Sequence, residues 1–114
     1  MTTKMLNNKF ASSSVSEAVK ALIEQMSWVE KYGQMTQVAA EFLLDPDDIA
    51  TFGLGSLLNG LGVQPSSAFG GNTLSGWVNQ YDFFQSKALS TRLGIPMLYG
   101  IDAVHGNGSL YGRR

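Results

Sequence analysis

Apolar residues recur at helical spacing in two stretches of the chain and bunch into short continuous runs elsewhere. Val15, Val19, Leu22, Ile23 and Met26 fall on one side of a helix, and Ser14 followed three residues later by Glu17 makes a capping box at its start. The spacing predicts a helix with one buried stripe. Ser27 and Glu30 repeat the S-x-x-E signature at once, so the chain breaks at Met26 and Ser27 and starts a second, short helical segment ending near Gly33. QMTQVA, residues 34–39, reads as a short strand. From Leu74 the helical period returns, with Trp77, Val78, Tyr81, Phe84 and Ala88 on one side and Asn72 or Thr73 as the cap. Because they share that stripe, Trp77 and its aromatic neighbours are expected as core anchors rather than sugar platforms.

The continuous runs read as strands. GLGSLLNG, residues 53–60, suits a buried strand with glycines for close packing. It is no dinucleotide fingerprint, since Leu58 stands where the third Gly belongs and the glycines precede the strand. Ile95, Met97, Leu98, Tyr99 and Ile101 show almost no alternation, which predicts a strand covered on both faces, opened by Gly94 and Pro96. Asp45, Pro46, Asp47 and Asp48 predict a helix start, with an Asp cap, Pro at the first helical position and acids facing the positive end of the dipole. A calcium loop there would need a later bidentate Glu, which the following residues do not supply. Residues 60–72 form a Gly/Ser/Pro-rich loop long enough to line a site. The order is helix, short strand, helix, strand, loop, helix, strand: an α/β chain with a parallel sheet and helical crossovers. Three strands are too few for a closed eight-stranded barrel of about 250 residues, and the last should present an unpaired edge.

With 44% hydrophobic and 15% charged residues, the chain has a globular composition and the size of a single domain. A net charge of -1 without a basic run argues against a nucleic-acid or anionic-membrane surface, so a neutral ligand fits better. Zero Cys rules out disulfides and thiolate metal sites, and a single His leaves any metal dependent on carboxylates, so neither metal nor cofactor is expected. The N-terminal MTTKMLNNKFASSS lacks the apolar core of a secretory signal, and no segment approaches the roughly twenty apolar residues of a membrane span.

Asp102 follows directly on the last apolar residue of the final strand, which sets its carboxylate in the layer where ligands meet parallel strands. There it could accept two hydrogen bonds from adjacent sugar hydroxyls or organise its own loop, and position alone fits both roles equally. Asp102, His105 and Ser109 are the residue types of an acyl-transfer triad, but a spacing this local specifies neither its geometry nor an oxyanion hole. His105 is expected to support the loop. Glycoside hydrolysis needs a second carboxylate across the scissile bond, whereas Glu17, Glu30, Asp47 and Asp48 read as helix caps and Glu24, Glu41 and Asp82 as exposed. Asn107, Gly108 and Ser109 match an N-glycosylation acceptor, for which a polar turn is the plainer account.

Three blocks together resemble the N-terminal barrel domain of glycoside hydrolase family 3, the β-glucosidases and exo-β-glucanases: LIEQMSWVEKYGQMTQ at 22–37, GLGSLLNGLG at 53–62 and FQSKALSTRLGIPMLYGIDAVHGNGSLYG at 84–112. The resemblance implies the first strands and helices of a (β/α)8 TIM-barrel-like domain over residues 14–114, behind a disordered tail at 1–13. It implies an enzyme that removes terminal β-linked glucose from β-glucosides or β-glucan oligosaccharides with retention, through an aspartate nucleophile and a glutamate acid/base. Neither of those matches a position in this sequence. The family residue that does match is the aspartate of the GIDAVHG block, carried onto Asp102, which holds hydroxyls of the innermost glucose. After SLYG the family pattern continues, whereas Arg113 and Arg114 follow here, as a shifted reading frame, an altered transcript or a deliberate cut would each leave them. The expected function is therefore that of a β-glucosidase fragment, inactive alone and missing the remainder of the barrel and a C-terminal domain. The alternative is a non-catalytic sugar-binding or barrel-complementing module. Family members are often secreted or periplasmic, and the compartment of this chain stays open.

Overall fold

A computed structural model describes residues 15–59 and 63–109. In order these form α1 (Val15–Gln25), α2 (Trp28–Gln34), β1 (Gln37–Ala39), a 3-10 turn (Ala40–Phe42), α3 (Asp48–Phe52), β2 (Ser56–Asn59), α4 (Leu74–Leu89) and β3 (Leu98–Ile101). The three strands make one parallel sheet in the order β1-β2-β3, with Val38 opposite Leu57 and Leu57 opposite Tyr99. The chain is thus α/β, as its alternation of elements predicts, and among the described residues β1 and β3 each have a neighbour on one side only. No helix of the described residues is long and apolar enough to cross a membrane.

The break after α1 follows the predicted chemistry. Ser27 Oγ accepts from the Glu30 backbone amide at 3.2 Å, and Glu30 Oε2 accepts from the Ser27 amide at 2.7 Å, closing the capping box. Thr73 caps α4 by accepting from the Gly76 amide at 3.0 Å. The Asp-Pro-Asp-Asp start behaves differently. Asp45 Oδ1 accepts from the Asp47 amide at 2.9 Å in the turn before the helix, and Asp47, at the N-cap, makes no side-chain cap and instead pairs with Lys87 of α4. A capping turn and an ion pair thus occupy two of these acids.

One face of the sheet is packed. Ile49 and Leu54, on and after α3, join Leu57 of β2, Met97 before β3, and Phe84 and Ala88 of α4 in the buried core. Each fully buried Leu or Ile contributes about 2 kcal/mol by leaving water. Phe69 extends this core, its ring 5.3 Å from Phe83 and 6.3 Å from Phe84. Successive strand residues point to opposite sides, so Gln37, Ala39, Ser56, Leu58, Leu98 and Gly100 share the other face. None of these six is buried.

Three expectations are corrected here. β3 is not covered on both faces: Leu98 is 76% exposed and Ile101 41%, because the helices cover one side of the sheet and β3 lies at its edge. Continuous apolarity reports that a strand can be buried on two faces, not that both are occupied. The stripe of α1 is likewise open, with no residue of the helix buried and Val15, Val19 and Ile23 exposed, since the described chain lays no element over it. The buried line of α4 is Gly76, Gln80, Phe84 and Ala88: Phe84 and Ala88 of the predicted stripe are buried, whereas Val78 and Tyr81 are exposed and Gly76 and Gln80 take their place. That line is set by fit: a methyl at Gly76 would collide with the Gly71 carbonyl, and Gln80 has a polar partner below it. Ser14, the tail at 1–13, residues 60–62 and the two terminal arginines lie outside the described residues.

Candidate functional site

The carboxyl ends of β2 and β3 carry Asn59 and Asp102 side by side. The Asp102 backbone amide donates to the Asn59 carbonyl at 3.2 Å, continuing the ladder one step past Ile101 and fixing where the following loop departs. Asp102 is exposed, and its carboxylate makes no hydrogen bond or ion pair among the described residues. A carboxylate placed this way has both oxygens available for neighbouring hydroxyls of a ligand.

Beneath it lies a polar cluster that the sequence patterns do not single out. Asn59 is 1% exposed and its side-chain amide donates to the Tyr99 hydroxyl, which also accepts from Gln80 Nε2 at 2.8 Å. Tyr81 meets Tyr99 edge-on at 5.6 Å between ring centroids. The network ties the last residue of β2 to β3 and to the middle of α4, so the backbone that presents Asp102 rests on satisfied polar groups rather than on apolar packing. A signal for it is present in the sequence, as Gln80 sits four residues before Phe84 and eight before Ala88 in one helical line.

The loop after Asp102 is tied down at its far end. Asn72 Nδ2 donates to the Ser109 carbonyl at 2.8 Å, and Asn72 Oδ1 accepts from the Trp77 indole at 2.8 Å. Asn72 is thus the brace between α4 and this loop, and Trp77, half-buried, serves that brace more than the core. His105 is exposed and shares no hydrogen bond with Asp102 or Ser109. Ser109 Oγ is buried without a partner among the described residues, so the three residues are not assembled as a triad. Besides Asp102, the acids of the described residues sit on helices, on the 3-10 turn or in the turn that starts α3. No three His, Asp or Glu side chains of the described residues converge as a metal site requires.

The opposite end of the sheet is built of backbone. Gly55 donates to the Gly33 carbonyl at 2.9 Å, and a methyl at Gly33 or Gly55 would overlap the carbonyl of Phe52 or Gln34 respectively. Gly33 is therefore a close-approach residue inside α2, not its terminator, while Gly53 ends α3 in the left-handed conformation at φ 60°. A cavity of about 210 Å³ opens there between Met26, Val29, Phe52, Leu93 and Ile95. At its rim Arg92 grips Glu30 with two nitrogens, at 2.8 and 3.1 Å, and donates to the Gln25 carbonyl at the end of α1. The Arg92 guanidinium, helped by the Ser27 amide, holds the Glu30 carboxyl down at about 2. The cavity lies at the amino ends of the strands, away from Asp102, and none of residues 63–72 lines it.

No protein-family profile matches the chain, and neither does any curated protein. Among solved structures, two of the exo-1,3/1,4-β-glucanase ExoP from a Pseudoalteromonas species, one of them a point mutant, are similar to it. Each superposes with a TM-score of 0.69 at 28% sequence identity over 84% of this chain. The chain spans 16% of the length of the mutant chain and 12% of the other. Its fold is therefore similar to part of a β-glucanase, and the likeness is to a glycoside hydrolase at that coarse level.

Proposed function

We propose that this chain is a portion of a retaining β-glucosidase or exo-β-glucanase of glycoside hydrolase family 3, in which Asp102 holds glucose hydroxyls at the carboxyl end of β3. The carrying observation is the conjunction of the β-glucanase likeness with an exposed carboxylate, unengaged among the described residues, one residue past the strand. The nucleophile and acid/base of the reaction belong, on this proposal, to sequence other than these 114 residues, and His105 supports the Asp102 loop. The three strands are then the first of a (β/α)8 barrel. The open sheet face and the two strand edges with one neighbour each support that placement, and they favour barrel complementation as the second function, ahead of sugar binding by the chain alone.

The experiment is an aryl β-glucoside assay on the purified chain together with a glucose titration followed by amide spectra. No turnover is expected, and any response to glucose should centre on residues 102–106. Hydrolysis that disappears with Asp102→Asn would overturn the proposal by making this carboxylate catalytic.

A further inference from the structure

The chain contains two Asn-Gly pairs, Asn59-Gly60 and Asn107-Gly108, and the fold treats them in opposite ways. Asn59 is 1% exposed, lies within β2, and has its side-chain amide bound to Tyr99 and its carbonyl bound to the Asp102 amide. Asn107 stands in the loop after Asp102, only half-buried, and Gly108 is exposed with nothing within 4 Å of where a Cβ would be. The Gly108 amide donates to no acceptor among the described residues. Asn107 Oδ1 accepts from the Ser109 amide at 3.0 Å, a contact that draws electron density from the side-chain carbonyl carbon.

We propose that Asn107 is a site of spontaneous backbone-assisted deamidation, selected over Asn59 by the fold. The Gly108 nitrogen attacks Asn107 Cγ, forming an N–Cγ bond; the Cγ–Nδ2 bond breaks and ammonia departs with the amide proton, leaving a succinimide. Water then opens the ring at either carbonyl, giving aspartate or isoaspartate. Glycine at the second position matters because it hinders the approach least and lets the backbone turn to present its nitrogen. Asn72-Thr73 and Asn79-Gln80 put larger side chains at that position, and both asparagines have their side-chain nitrogens engaged, with Ser109 and Phe69 carbonyls. Conversion takes the formal net charge from -1 to -2 and, as isoaspartate, lengthens the backbone between Asp102 and the Asn72 brace on Ser109.

The test is incubation of the full chain at mildly alkaline pH, followed by peptide mass mapping and enzymatic methylation of isoaspartate, with the same incubation in urea. In the folded chain Asn107 should convert faster than Asn59 on the order of tenfold or more, because a strand residue reacts only as often as its segment opens. In urea the two Asn-Gly pairs should converge, and Gly108→Ala should slow Asn107 while leaving Asn59 unchanged. Equal rates at Asn107 and Asn59 in the folded chain, or conversion at Asn107 no faster than at Asn72 and Asn79, would overturn the proposal.

Discussion

The two ends of the sheet are held by different chemistry. At the amino ends, backbone meets backbone: Gly33 and Gly55 let α2, the end of α3 and the approach to β2 come so close that no side chain fits, and Gln34 Nε2 adds a bond to the Gly53 carbonyl at 2.9 Å. At the carboxyl ends, side chains tie the strands to α4 through Asn59, Gln80 and Tyr99, beside one close backbone approach of Gly76 to Gly71, and the loop above them carries exposed Asp102, Val104 and His105. An added side chain has no room at Gly33 or Gly55, whereas the loop at the second end is exposed from Asp102 to His105.

One added methyl group at each end should separate them most strongly. Gly55→Ala places a Cβ against the Gln34 carbonyl, and both partners are backbone, so neither can rotate away. A loss of about 3 kcal/mol or more in urea unfolding is expected, at the upper end of overpacking costs. Gly108→Ala meets nothing within 4 Å and should leave the midpoint nearly unchanged. Similar losses in the two variants would mean that the amino-terminal rim is not the tighter one.

Next in size is Tyr99→Phe. It removes the oxygen that accepts from Asn59 and Gln80, so two buried side chains each lose one hydrogen bond. At about 1 kcal/mol for each lost bond, about 2 kcal/mol is the expected loss. Amide exchange should rise at Asn59 and Asp102 before it rises at Gly33, because the network lies under one end only. Uniform acceleration along the sheet would show the two ends to be a single cooperative unit.

Much of this architecture is legible in the residues, and the misses share a cause. The capping box at Ser27 and Glu30 and the Thr73 cap are local, decided within four residues, and both form as predicted. The order of strands and helices is readable because alternation leaves little choice of topology. Periodicity does not tell which apolar stripe will find a cover: Val19 and Ile23 of α1, and Leu98 of β3, have the pattern of buried residues and stay exposed. Gln80 and Gly76 of α4 escape a reading by apolar period for the opposite reason: they share one helical line with Phe84 and Ala88 without being apolar, and their burial depends on Tyr99 and on the 70–71 backbone. Asp102 stands out because a strand end is a positional signal. Its partners in the site do not, because Asn59 and Asn72 act through contacts about forty residues apart in sequence.

A smaller effect separates the ends by pH. Glu30 is held at about 2 by Arg92, below its ordinary 4.5, so the pair stabilises the fold fully above the ordinary value and the contribution is lost as pH falls from there through about 2. Glu30→Gln keeps an acceptor for the Ser27 amide while removing the charge that Arg92 grips. The melting temperature of this variant should lie slightly below that of the parent at neutral pH, and the two should converge toward pH 2, with the gap narrowing in high salt because the pair is at the surface. A gap that persists unchanged at low pH would assign the difference to the cap rather than to the ion pair.

The smallest expected effect on stability falls on the residue with the largest expected effect on binding. Asp102 holds its loop by its backbone amide, and its carboxylate makes no hydrogen bond or ion pair among the described residues, so Asp102→Ala should shift unfolding by no more than about 0.5 kcal/mol. If the carboxylate serves a sugar, the same variant loses whatever response the parent gives to glucose, while Asn72→Ala, which cuts the brace on Ser109, broadens the loop signals and weakens that response without abolishing it. If instead Asp102 organises the loop, Asp102→Ala lowers stability and disturbs the 103–109 amides in the absence of any ligand. Position on the strand allows both roles equally, and the two outcomes separate them: a loop-organising aspartate has its oxygens filled by backbone amides, whereas the Asp102 carboxylate has no such bond among the described residues.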